Sequence, residues 1–162
     1  MLSPAFAFAQ RQTNFITLTD AQGKLISGDV AMKGYEKSIS INTLTTGGKS
    51  NSQLTLTMGI QGAAADLRRI MVSNEMLASG QLYVTQQTQS SVLRPTYTIK
   101  MENMQVVSCT EALGCDNNMT LTVVLQAARI GWTYYKTTGS GPLSVTNKYG
   151  FDTESGKEWN NF

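Results

Sequence analysis

A mainly β fold, a small closed barrel of about eight antiparallel strands carrying one short helix, follows from three features of this 162-residue chain. Apolar and polar residues alternate through most of its length, as half-buried strands require. A single stretch, 63–78, changes to helical spacing. Charged residues are only 15% of the total, against about 25% in ordinary globular domains. Thr, Ser, Asn, Gln and Gly must therefore fill the exposed positions, and such a hydrogen-bonding, uncharged surface suits sheets and packed subunits.

The elements follow in order. Residues 15–19 alternate, with Ile16 and Leu18 on one side. Asp20-Ala21-Gln22-Gly23 has turn chemistry, and 25–32 reads as a strand or an irregular connection. Residues 37–44 alternate with Ile39 and Ile41 inward. Residues 45–53, TTGGKSNSQ, form a polar glycine-rich loop without an apolar anchor, expected to be exposed. Leu54, Leu56, Met58 and Ile60 then alternate with Thr55, Thr57 and Gly59, a clear strand signal.

In the helix, Leu67, Ile70, Met71, Asn74 and Leu77 share a face, and Asp66 complements the dipole of the first turn. Gly80 is the expected left-handed cap. A strand carrying Leu82 and Val84 follows, and Arg94-Pro95 should interrupt the ladder. Tyr97, Ile99 and Met101 point one way. The phase slips at Glu102-Asn103, and Met104 and Val106 continue the inward set, which predicts a β-bulge. Leu121, Val123 and Leu125 alternate in turn. Residues 127–129 form a second irregularity before Ile130, Trp132 and Tyr134, and 143–151 supply a last strand.

Several functions are excluded by composition. The net charge of +2, with Arg68-Arg69 the sole basic pair, is too small for a nucleic-acid surface. No histidine is present, which removes the commonest general base and the usual catalytic-zinc ligands. The acidic residues are spread singly, so no metal site, cofactor site or catalytic group is assigned. An enzyme would need Glu102 and Asp152, or Tyr134 and Lys136, to meet in a pocket, and no spacing argues for that. Apart from the first ten residues no segment approaches the ~20 apolar residues of a membrane helix, so stable membrane insertion is not expected.

Two features leave alternatives open. Residues 1–10, MLSPAFAFAQ, read either as the remnant of a secretory signal with an Ala-x-Ala cleavage pattern or as a plain N-terminal tail before a single domain over 11–162. Cys109 and Cys115 flank the segment TEALG. They are either reduced thiols or a small disulfide ring worth roughly 2 kcal/mol in an oxidising compartment.

The region from 97 to 152 carries a family resemblance. It reads TYTIKMENMQVVSC, a polar loop, MTLTVVLQAARIGWTYYKTTGSG, then VTNKYGFD. The pattern resembles the C-terminal half of Hcp, the tube-forming protein of bacterial type VI secretion systems. Element order matches that family from about residue 15 to 152. Residues 130–134, Ile-Gly-Trp-Thr-Tyr, resemble its hydrophobic-Glu-Trp-Thr-Tyr signature, and Tyr149 and Asp152 its closing aromatic-Asp strand. Trp132, Tyr134, Tyr149 and Asp152 thus carry the likeness. Departures are Gly131, where the family usually has an acidic residue, and LISGDVAMKG in place of a charged segment after the first strand.

The resemblance implies a structural, non-enzymatic protein that assembles as a homohexamer. Its rings would stack into a conduit and engage secretion sheath, spike and effector proteins. Assembly would be cytoplasmic, and export would use the secretion machine itself. Thr45, Thr46, Gly47, Gly48 and Lys49 are the expected ring-stacking loop. Thr55, Thr57, Gln86, Gln87 and Thr122 are the expected lumen-facing positions. The alternative is a secreted, monomeric β-barrel binding module, exported to the periplasm or beyond through a signal peptide.

Overall fold

The computed structural model describes residues 12–47, 52–87, 92–136 and 141–162. The N-terminal tail with its signal-like pattern, together with Gly48 and Lys49, lies outside them. Strands β1 (Gln12–Asp20), β2 (Ile39–Ile41), β3 (Thr43–Thr46) and β4 (Gln53–Gly59) precede the helix α1 (Ala63–Ser73). Strands β5 (Met76–Gln87), β6 (Leu93–Leu113), β7 (Met119–Tyr135), β8 (Val145–Asp152) and β9 (Lys157–Glu158) follow it. All pair antiparallel.

The sheet runs β2-β1-β5-β6-β7-β4-β3, with β8 and β9 branching from β7. Its two ends are successive pieces of one chain: β2 pairs with β1, β3 pairs with β4, and Asn42 lies between them. The Asn42 N–H donates to Thr57 O at 2.8 Å. The expected closed barrel is therefore corrected. The sheet rolls up, but no continuous hydrogen-bonded ladder among the described residues closes it, and the chain itself joins the edges.

The alternating apolar residues line the interior. Ile16, Ile39, Leu54, Leu56, Met58, Leu82, Ile99, Met101, Met104 and Leu125 are fully buried. Leu67 and Ile70 of α1 complete this core, and Arg68 pairs with Glu111 on β6 at 2.6 Å. Ile60 is nearly half exposed, because β4 has ended at Gly59.

The helix is shorter than its spacing suggested. Asn74, with φ 54°, takes the left-handed cap position and donates its N–H to Met71 O at 3.2 Å. Gly80 is not the cap; it lies inside β5, where a Cβ would stand 2.8 Å from Met104 Cε and 2.9 Å from Leu18 Cδ2. Leu77 happened to fit both periods, so the strand's first core residue looked like the helix's last.

The phase slip at Glu102-Asn103 exists, but it is not a bulge. Leu77, Met104 and Ala127 form one inward row, and Gly80, Met101 and Ile130 the next. Two residues separate these rows in each of β5, β6 and β7. All three neighbours slip together, so register is kept. Asn103, with φ 49°, absorbs the change in β6, a conformation asparagine tolerates well. Register shifts occur instead between Val106 and Ser108 against β7, and opposite Pro95, where Thr85 pairs with Pro95 and Val84 with Tyr97. The Arg94-Pro95 step is thus carried within β6, and the Thr96 hydroxyl donates to Val84 O at 3.2 Å.

Candidate functional site

On β3, β4, β7 and β6, the residues between the buried ones face outward. Register pairs Thr43 with Thr57, Thr57 with Thr122, and Thr122 with Thr110. A row of four threonines therefore crosses four adjacent strands, with Thr45, Thr55, Val124 and Ser108 as the next row. The Thr43 and Thr57 hydroxyls are hydrogen-bonded to each other. The face offers donors and acceptors without net charge. Sequence reasoning named Thr55, Thr57 and Thr122, put Thr45 in the stacking loop and missed Thr43 and Thr110, because only cross-strand register brings them into line. Gln86 and Gln87 are not part of this face. They pair with Arg94 and Leu93 at the start of β6, whereas Thr110 is near its end.

Thr45 and Thr46 are strand residues, paired with Thr55 and Leu54, and not members of an unanchored loop. Gly47 follows with φ 123°, and its N–H donates to Gln53 O at 3.3 Å. The polar composition of Thr45 and Thr46 concealed the β3–β4 pairing, whose outward positions are threonines.

Trp132, Tyr134 and Tyr149 come together, joined by Tyr97. The β6–β7–β8 registers place Tyr97 beside Tyr134 and Trp132 beside Tyr149 on the sheet's inner side. The Trp132 and Tyr149 rings are stacked with centroids 6.0 Å apart, and those of Tyr97 and Tyr134 lie 4.8 Å apart. With Thr46 and Gly47 they line an open cleft of about 340 Å³. The cleft arises where β7 changes partner. Its edge pairs with β4 as far as Gln126 and with β8 from Arg129, so the inner face beyond Ile130 loses its cover. Burial, and then the neighbouring Tyr134, push the Tyr97 hydroxyl pKa far up, so it stays a neutral hydrogen-bonding group.

Asp152, the fourth signature residue, serves the branch point. Its Oδ1 accepts the N–H groups of Glu154 at 2.9 Å and Ser155 at 3.0 Å. Its Oδ2 accepts Arg129 Nε at 3.1 Å, and Arg129 Nη1 reaches Glu102 Oε2 at 3.2 Å. One arginine thereby ties β6, β7 and β8. The Ser155 N–H, chiefly, holds the Asp152 carboxyl below its ordinary pKa, with Arg129 adding to the effect.

The cysteines are both free thiols. β6 continues through Cys109 to Leu113, so the two sit along a hairpin arm and its tip. Four residues of strand at roughly 3.3 Å each separate Cys109 from Leu113 alone, beyond the Cα distance of about 7 Å that a disulfide spans. Burial raises the Cys109 pKa, while Cys115 is exposed.

Among the described residues no group of three or more Cys, Asp or Glu side chains is placed to hold a metal ion, and no helix is long and apolar enough to cross a membrane. Glu102 and Asp152 both bind Arg129.

No curated protein sequence matches the chain. Solved structures share its fold. Hcp1 from Salmonella typhimurium superposes with a TM-score of 0.73 at 14% identity, covering 92% of this chain and 100% of that one. The secreted protein Hcp3 from Pseudomonas aeruginosa gives 0.68 at 14% identity, covering 88% and 98%. A type VI secretion system effector from Yersinia pestis gives 0.67 at 12%, covering 86% and 98%. The family described as type VI secretion system effector, Hcp, matches residues 15–134. That span holds the sheet apart from β8 and β9, the helix and the Trp-Thr-Tyr element, and the chain belongs to the Hcp family of type VI secretion system proteins.

Proposed function

We propose that this protein is a tube subunit of a type VI secretion system: six copies form a ring, rings stack into a conduit, and the assembly is exported with its effectors. The observation that carries this reading is the family match over 15–134. Two features of the chain support it. The threonine face of β3, β4, β7 and β6 is polar, uncharged and held by the sheet. Such a wall hydrates a passing protein without trapping it by charge, so we assign Thr43, Thr55, Thr57, Thr110 and Thr122 to the lumen. Thr46 and Gly47 at the end of β3, with Gly48 and Lys49 next in the sequence, are assigned to ring stacking. Neighbours would meet head to tail, a contact that closes when the rotation permits. Sheath, spike and effector proteins are the further partners of this reading.

The monomeric binding module loses one of its two supports, since the thiols are free. Negative-stain microscopy and sedimentation velocity on the full chain separate the readings. Doughnut-shaped particles with a mass near six chains are expected. A single monomeric species at every concentration would overturn the tube assignment.

A further inference from the structure

Residues 157–159 lie along the outer edge of β8, and Phe162 packs over the face of β7 and β8. Lys157 and Glu158 form β9, pairing with Asp152 and Phe151. The Trp159 N–H then donates to Gly150 O at 2.9 Å, and Trp159 is only 8% exposed. The chain ends in a socket made by two facing glycines, since Gly131 pairs with Gly150. A Cβ at Gly131 would stand 2.5 Å from the Phe162 ring, and one at Gly150 would also collide with it. The Lys148 ammonium lies 4.2 Å above the Phe162 ring centroid and binds the Phe162 carbonyl oxygen. Trp159 and Phe162 pack with ring centroids 4.9 Å apart.

This segment pairs with Gly150, Phe151 and Asp152, the last part of a vulnerable strand. β8 is exposed on both faces from Val145 to Tyr149, and Leu143, Val145 and Tyr149 are each about half exposed. A strand of that kind with open backbone groups invites another chain to pair. Its guarding continues upstream, where Asn147 Oδ1 accepts the next N–H, that of Lys148, at 2.8 Å. The Lys148 N–H and the Gly150 and Asp152 carbonyls are thereby engaged. Gly131, the departure from the family signature, is the residue that makes room for the ring.

We propose that residues 157–162 are an edge guard, and that the outer edge of β8 is a latent pairing surface for a second copy of this chain, kept closed by Phe162 in the Gly131 and Gly150 socket. A nearly uncharged copy meets little repulsion there, and its own β8 offers the same edge. This pairing is additional to the ring contacts and rests on the ring reading only in that the guard keeps assembly to those contacts.

The test compares the full chain with Gly131→Ala, Phe162→Ala and a form ending at Gly156. Gly131→Ala ejects the ring while improving strand propensity, so loss of the fold is not the expected outcome, and circular dichroism verifies it. The truncated form serves if Gly131→Ala perturbs the sheet. With Trp132→Phe as the common background, acrylamide quenching of Trp159 in Gly131→Ala and Phe162→Ala should rise about threefold, as expected when a ring leaves a packed site for water. In all three variants self-association should begin at roughly tenfold lower concentration than in the parent chain. Unchanged Trp159 quenching in both point variants would overturn the guard. Exposed Trp159 with unchanged association would overturn the latent edge. The ring reading is judged separately, on the parent chain, so its failure is not confused with either result.

Discussion

The two halves of β7 share one strand and live in different surroundings. Residues 119–127 are flanked by β4 and β6, and Leu121, Val123, Leu125 and Ala127 are all nearly or wholly buried. Residues 128–135 are flanked by β6 and β8. There the inward positions after Ile130 are aromatic, and Tyr134 is 45% exposed. One half holds the molecule together; the other presents a surface. The difference comes from the handover at Ala127 and Ala128, where Ala127 N–H donates to Ser52 O and Ala128 O accepts from Thr153 N–H.

The largest expected effect tests the first half. Leu125→Ala should cost about 3 kcal/mol, because a fully buried leucine leaves a cavity as well as losing its transfer energy. Tyr134→Ala should cost about 1 kcal/mol, since a half-exposed ring surrenders less buried area. Urea unfolding measures both, and equal losses would abolish the contrast.

A smaller effect is expected at the handover. A carboxyl whose folded pKa is depressed contributes stability fully above its unfolded pKa, about 3.9 for Asp. That contribution disappears as pH falls through the folded value. Urea midpoints recorded from about pH 5 to about pH 2 should therefore fall further in the parent chain than in Asp152→Asn. Parallel curves would remove Asp152 from the clamp.

The smallest effect belongs to the outer face. Thr122→Val, on the outward side of the first half, should change stability by no more than about 0.5 kcal/mol. A shift as large as that of Leu125→Ala would mean that the threonine row is part of the core.

Legibility in the sequence followed the same division. Where one side of a strand is fully covered, as with Leu54, Leu56 and Met58, alternation names the inward residues directly. It failed where two periods coincide, at Leu77, and where threonine stands on both sides, at Thr45 and Thr46. The threonine face was half visible, because outward positions can be read along a strand but not across strands. The aromatic cleft appeared as a signature without a shape, since its opening depends on β4 ending and β8 beginning. The guard at Phe162 was invisible. Its recognition elements are two glycines, which carry no hydropathy, and Gly131 showed only as an unexplained departure.

The shared two-residue step between inward rows restricts how this chain can change length. Removing one residue from β5, β6 or β7 near Ser79, Asn103 or Ala128 would turn the rest of that strand inside out, because side chains alternate with a period of two. Its neighbours would not follow. Only a matched deletion in all three would leave a coherent interior, so insertions and losses in natural or engineered variants should be found in the connections and not along this line.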